Sequence, residues 1–176
     1  PGVPSPIVGA DQRGIDLVLI RESTEGLFAS MGKGVVTESE ARETLVIARN
    51  TSKRLFDFSF RLAERRKARG RPGALTCVDK ANVFRAFAFF REIFDEAAKR
   101  HPNVRADHVY VDACSAFLVK RPWDFDVLVT ENMFGDILSD EAAVLTGSLG
   151  VLPSASLGDG IGLYDGVLTT GGASDR

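Results

Sequence analysis

No apolar run in the sequence approaches the roughly 18 residues a membrane span needs, and its first residues lack the pattern of a secretory signal. Cysteine is nearly absent. Cys77 and Cys114 are the only two, each inside an apolar stretch. Buried free thiols in a reducing cytoplasm are the expectation, with a disulfide as the alternative. Histidine is equally scarce, and His101 and His108 have no Cys or His partners at zinc spacing, which argues against a zinc site. Neither sign of charge dominates. The formal net charge is −2, so the overall field points to neither nucleic acid nor a membrane surface. The one basic run, Arg65-Arg66-Lys67-Ala68-Arg69, falls at an expected helix C-terminus, where the dipole favours cations. No Walker A sequence occurs. Gly158-x-Gly160-x-Gly162 is not GxGxxG and follows no strand, so it is no dinucleotide fingerprint.

What is present is an ordinary globular balance, 44% hydrophobic and 26% charged residues. A chain of 176 residues fits one domain and is large enough to bury roughly two-thirds of its unfolded surface. Four short apolar runs, Ile15–Ile20, Ala74–Val78, His108–Val111 and Phe125–Val129, are rich in branched residues with little polar alternation. They read as strands covered on both faces. Helical patterns separate them. Ser52 to Arg69 carries Leu55, Phe58, Ser59 and Leu62 at helical spacing, with Asn50 or Thr51 as N-cap and Gly70 as the stop. Asn82 to Arg100 places Phe84, Phe87, Phe90 and Phe94 on one stripe, for the core or an interface, and Pro102 ends it. Ala113–Lys120 and Met133–Leu145 supply two more helices. Strands alternating with helices predict an α/β layered domain, with a parallel or mixed sheet and flanking helices.

The segment Phe28 to Arg49 breaks that pattern. Gly32 and Gly34 precede Val35-Val36, then a polar stretch, then Thr44–Ala48. A protruding β-hairpin arm over about 28–49 is the favoured reading. Thr37-x-x-Glu40 as a capping box opening a short helix is the alternative. From Ser148 onward the sequence is Gly-rich, loses periodicity and reads as loop.

Chemistry gathers where the strands end. Arg21 and Glu22 follow the first run, Asp79 and Lys80 the second, Asp112 the third, and Glu131 and Asn132 the fourth. In open α/β sheets ligands bind beyond the carboxyl ends of the strands, and parallel strands would bring these charges together. Charged residues also mark any strand end at a surface. Asp136 and Asp140 lie one turn apart on one face of the last helix. Such a pair either shares a hard cation, Mg²⁺ or Mn²⁺, or complements a helix dipole. Lys80, where a strand becomes a helix, is either a desolvated base or a snorkelling surface lysine. Arg21 either clamps a substrate carboxylate or is surface charge.

Five segments, taken in order, resemble the isocitrate/isopropylmalate dehydrogenase family of β-decarboxylating dehydrogenases. They are Ile15 through Arg21-Glu22-Ser23-Thr24-Glu25-Gly26-Leu27, Val78-Asp79-Lys80-Ala81-Asn82-Val83, Val111-Asp112-Ala113, Phe125-Asp126-Val127 through Thr130-Glu131-Asn132-Met133-Phe134-Gly135-Asp136-Ile137-Leu138-Ser139-Asp140, and Gly147-Ser148-Leu149-Gly150 with Pro153–Gly158. They span about residues 2 to 164. The resemblance implies an isopropylmalate-dehydrogenase-like fold, with residues 1–164 as the metal-binding, substrate-binding and dimerisation domain and 165–176 as a divergent tail.

It also implies a cytoplasmic enzyme that oxidises the C2 hydroxyl of a malate-type acid with NAD or NADP and releases CO₂. Such acids include 3-isopropylmalate, isocitrate and tartrate. By resemblance Arg21 binds a substrate carboxylate, Lys80 handles the hydroxyl proton, and Asp112, Asp136 and Asp140 hold Mg²⁺ or Mn²⁺. Lys80 and Asp112 would serve the neighbouring subunit's site, so a homodimer with shared sites is implied, with the 28–49 arm as its dimer-forming element. The family's tyrosine would fall near Ile47, and no tyrosine lies between Arg21 and Lys80. The sequence opens at Pro1 and departs from the family after Gly162-Leu163-Tyr164, where most of the dinucleotide site would follow. The expectation is therefore the family's contiguous second domain, released by truncation or an altered reading frame. A non-catalytic dimerisation module of the same family is the alternative.

Overall fold

The computed structural model describes residues 5–145, 153–158 and 163–165. A short helix, α1 (Ala10–Arg13), leads into β1 (Val18–Arg21). A 3-10 turn at Phe28–Ser30 precedes β2 (Val35–Val36) and β3 (Ala41–Arg42). There follow α2 (Arg49–Ala68), β4 (Ala74–Asp79), α3 (Arg85–Ala98), β5 (Arg105–Tyr110), α4 (Val111–Lys120), a 3-10 turn at Pro122–Asp124, β6 (Val127–Thr130) and α5 (Asn132–Leu145). The last pair is β7 (Ser154–Ser156) and β8 (Leu163–Asp165).

The main sheet has the order β1-β6-β4-β5, and every pairing in it is parallel. Two layers of helix enclose it. Val127 and Val129 of β6 and Leu75 and Cys77 of β4 meet α2 and α3 through Phe56, Phe60, Phe90, Ile93 and Phe94. Leu128 and Val78, on the opposite pleat, meet Cys114 and Leu118 of α4 and Leu138 and Leu145 of α5. Because successive side chains alternate faces and both faces are apolar, β6 is buried throughout and β4 everywhere but at Thr76, which is half-buried. Phe56 packs against Phe90 at 4.6 Å between ring centroids and Phe60 against Phe94 at 5.2 Å, interlocking α2 with α3.

Coverage on both faces does not extend to β5. Five of its six residues are exposed, since it is the sheet edge beyond which no strand pairs among the described residues. The α2 stripe also differs from expectation. Its buried residues are Ser52, Phe56, Ser59, Phe60 and Ala63, with Leu55 and Leu62 at the margin. The helix begins at Arg49, with Ala48 as its N-cap. Neither Asn50 nor Thr51 caps it. Glu25, from the loop after β1, fastens the start of the helix instead, accepting from Ala48 N and from Thr51 Oγ1, both at 2.7 Å. On α3, Phe87, Phe90 and Phe94 are buried in the core, whereas Phe84 is the N-cap and is exposed.

The excursion after Phe28 is a hairpin. Val35 pairs with Arg42 and Val36 with Ala41, antiparallel, and Gly26 bridges Val46 at its base. Thr37 closes the tip: its N–H donates to Glu40 O at 2.8 Å and its hydroxyl oxygen accepts from Glu40 N at 3.1 Å. Thr37-x-x-Glu40 thus makes a turn, not a helix start. The C-terminal stretch read as loop contains a second hairpin, β7 with β8. Gly147-Ser148-Leu149-Gly150, Gly160, Gly162 and the tail from Gly166 lie outside the described residues. Cys77 and Cys114 are free and buried. Among the described residues no helix is long and apolar enough to cross a membrane.

Candidate functional site

Four parallel strands put their carboxyl ends on one edge of the sheet. Arg21 of β1 stands level with Thr130 of β6, Val78 of β4 is level with the same Thr130, and Asp79 is level with Tyr110 of β5. The chain leaves β4 into α3 on one face and leaves β6 into α5 on the other. A crevice opens where neighbouring strands send their connections to opposite faces. Arg21 and Asn132 flank it on one side, and Lys80 begins the turn on the other.

On the first side Arg21 is held by α5. Its Nε donates to Asn132 Oδ1 at 2.9 Å, and its Nη1 pairs with the Asp136 carboxylate. Its guanidinium lies 5.4 Å from the centre of the Phe28 ring. Asn132, itself buried, donates through Nδ2 to Glu25 O at 2.9 Å, so one amide ties the arginine to the base of the arm. Close approach of α5 depends on Gly135. A Cβ there would lie 2.6 Å from Arg21 Cγ. Two acids complete the floor. Glu22 accepts from Thr24 N and Glu25 N, both at 2.7 Å, and Glu131 accepts from Phe134 N at 2.7 Å and Met133 N at 3.1 Å. Burial pushes the Glu131 carboxyl above its usual range, the two helix N–H groups oppose this, and the neighbouring Glu22 adds to it.

On the second side the turn after β4 is fixed by Asp79, which is fully buried. Its Oδ1 accepts from Ala81 N at 2.8 Å, and Arg91 of α3 grips both of its oxygens. Lys80 extends to the carboxylate of Asp112, the second residue of α4. That hydrogen bond holds the Asp112 carboxyl below the ordinary range, helped by N–H groups of the α4 first turn. The Tyr110 ring is shared by two cations, with Arg91 at 5.2 Å and Lys80 at 5.8 Å from its centre.

The residues expected to act are therefore brought to one edge in two pairs, Arg21 with Asp136 and Lys80 with Asp112. Asp140 is exposed one turn further along α5. The three aspartates do not converge within one chain: among the described residues no group of three His, Cys, Asp or Glu side chains is placed to hold a metal ion. Asp136 and Asp140 offer two oxygen donors on one helix face, a donor set that suits Mg²⁺ or Mn²⁺ with further ligands from elsewhere. Ile47 does not face this edge. It packs against the core around Phe56 and Phe60, and the ring beside Arg21 is that of Phe28, which has no hydroxyl. Sequence reasoning missed Arg91 and Tyr110. Arg91 follows directly on Phe90 in the apolar stripe of α3, and a guanidinium beside so many buried rings calls for a buried acid.

A family model described as isocitrate/isopropylmalate dehydrogenase matches residues 2–175. The 3-isopropylmalate dehydrogenase of Bacillus cereus is 46% identical over 162 residues, covering 92% of this chain and 44% of that enzyme. Its counterpart from Aquifex aeolicus is 42% identical over 166 residues, covering 93% of this chain and 44% of the enzyme. Among solved structures, isocitrate dehydrogenase from Methylococcus capsulatus superposes with a TM-score of 0.81 at 39% identity, over 94% of this chain and 48% of that one. A protein from Thermus thermophilus gives 0.82 at 37% identity, over 95% of this chain and 32% of that one. The chain thus spans less than half the length of these relatives.

Proposed function

This chain belongs to the isocitrate/isopropylmalate dehydrogenase family, and from that premise we propose that it supplies the metal- and substrate-binding core of an NAD(P)-linked oxidative decarboxylation of a malate-type 2-hydroxy acid. The observation that carries this reading is the paired arrangement of Arg21 with Asp136 and Lys80 with Asp112 on the carboxyl edge of the sheet. 3-Isopropylmalate, isocitrate and tartrate are the substrates to be tried.

In this reading Arg21 binds a substrate carboxylate through its Nη donors while Asn132 fixes its Nε. Once it has lost its own proton, Lys80 would take the proton of the C2 hydroxyl, with the Tyr110 ring keeping its amine at the crevice, and the dinucleotide would accept the hydride. Asp136 and Asp140 would hold Mg²⁺ or Mn²⁺, which would supply Lewis acidity toward the substrate oxygens. The third carboxylate, Asp112, comes from a second copy of the chain, as does Lys80, which makes the functional unit a homodimer with shared sites. Val119 of α4 and Ile137 and Val144 of α5 are exposed apolar residues that support such an interface, and Val35 and Val36 do the same for the arm. No dinucleotide loop is assigned to the described residues.

Calorimetric titration of Mn²⁺ into the purified chain, with its oligomeric state measured alongside, tests the proposal. One saturable metal per subunit, lost in Asp140→Asn, supports it, and NAD(P)H formation with one of these acids completes it. A dimer that binds no metal at millimolar Mn²⁺ refutes it in favour of a non-catalytic dimerisation module.

A further inference from the structure

The charged pairs of this chain fall into two kinds. In the first, the acid is inaccessible: Asp79 with Arg91 and Asp126 with Arg66 have carboxylate side chains with 0% exposure. Nothing dissolved can reach those oxygens, and each acid is also tied to a backbone N–H, Asp79 to Ala81 and Asp126 to Ala74. In the second kind the acid is open. Asp136 is 48% exposed beside Arg21, and Asp112 is 67% exposed beside Lys80. Pairs this open are weak, because water competes for both partners.

In both open pairs at the crevice the basic partner keeps a second hold. Arg21 retains its Nε bond to Asn132 and its place by the Phe28 ring without any help from Asp136. Lys80 retains the face of Tyr110 without Asp112. If either carboxylate is taken away, the basic group stays at the crevice with free donors. The carboxylates themselves sit where like charges gather, since Asp136 and Asp140 are one helical turn apart and repel one another when no cation lies near. Arg21 answers that repulsion from within the chain.

We propose that Arg21 and Lys80 are built-in counter-ions of the metal carboxylates, each displaced from its acid by the arriving divalent cation and thereby released to bind the acid substrate. This rests on the metal and substrate roles argued above and adds the link between them. The exchange replaces one cation by another on each carboxylate and forms no covalent bond. It leaves each shared site with surplus positive charge on Arg21 of one copy and Lys80 of the other, which an anionic ligand offsets. The ligand class it favours is an acid carrying two or more carboxylates.

Release is read directly by chemical labelling of the purified chain. Acetylation of Lys80 by acetic anhydride and modification of Arg21 by phenylglyoxal are followed by peptide mass mapping, with and without Mn²⁺. Exposed Lys53 and Arg69, on α2 and at its C-terminal cap, serve as internal references. The expected result is a several-fold rise in both rates that saturates with Mn²⁺ while the references stay constant. Asp136→Asn raises the Arg21 rate without metal, and Asp140→Asn removes the response to metal. Saturable Mn²⁺ binding with unchanged or slower labelling overturns the exchange and leaves the metal reading intact. Absence of Mn²⁺ binding overturns both.

Discussion

Arg91 closes on the buried carboxylate of Asp79 with two donors, Nε to Oδ2 and Nη2 to Oδ1, each at 2.7 Å. The clamp joins the end of β4 to the middle of α3, and the same acid pins the turn that launches Lys80. Removing the arginine strands a desolvated charge. Arg91→Met is therefore expected to cost about 3–5 kcal/mol in urea unfolding. Adding Asp79→Asn to that variant removes the stranded charge and recovers part of the loss. Equal stability of Arg91→Met and the native chain would show that the pair contributes nothing net.

Gly135 sets how closely α5 rides on β1. Its missing Cβ would lie 2.6 Å from Arg21 Cγ and 2.7 Å from Arg21 Cβ. Gly135→Ala gains helix propensity and loses more through overpacking, for a net destabilisation of about 1–3 kcal/mol. Because the shift separates Arg21 from Asp136, the variant also alters Mn²⁺ affinity, measured by calorimetry. A stable variant with native affinity would mean that α5 moves away at no cost.

Glu131 gives the chain a signature in pH. Burial raises its carboxyl above the unfolded value of about 4.3. The native state thus holds that proton more tightly than the unfolded state. Its contribution to stability is fully present below pH about 4 and is lost as pH rises through the folded value. Urea midpoints of the native chain, taken relative to Glu131→Gln, should fall over that interval and then level off. A constant difference across it would mean that Glu131 titrates as an exposed acid does.

Both thiols are expected to be silent in the native state. Cys77 is enclosed beneath Asp79 and raised well above its usual range by burial, and burial pushes Cys114 to about 12. Thiol titration with a chromogenic disulfide at pH 8 should register neither until denaturant is added, and then both. Rapid labelling of Cys114 in the folded chain would show that the α4–α5 layer opens readily.

Much of this was legible in the sequence because its signals are local. Apolar runs with charged ends located the four parallel strands, and the Asp136–Asp140 spacing located two carboxylates on one helix face. What was not legible depends on partners distant in sequence. The start of α2 is set by Glu25 from the preceding loop, so no residue near Asn50 announces it. The exposure of β5 was missed because the strand begins at Arg105, three residues before the apolar run at His108, and its polar residues Arg105, Asp107 and His108 suit the sheet edge it occupies. Ile47 falls where the family's tyrosine is expected, yet its apolar side chain goes to the core. Tyr110 reads as one more residue of an apolar run that continues to Val111; only the structure ends the strand at Tyr110 and brings its ring near two cations.

The strand order has a kinetic consequence. β6 is the last of the four to be synthesised and lies between β1 and β4, so Val18 finds its partner only when Val127 is available. Until then β1 has no neighbour in the sheet, and β4 pairs with β5 alone. Contacts of such long sequence separation slow folding. A nascent chain must therefore keep its first strand waiting, with one edge of β4 open, until the end of β6 has left the ribosome. Arg21, Lys80 and Asp112 are all made before the strand that aligns them.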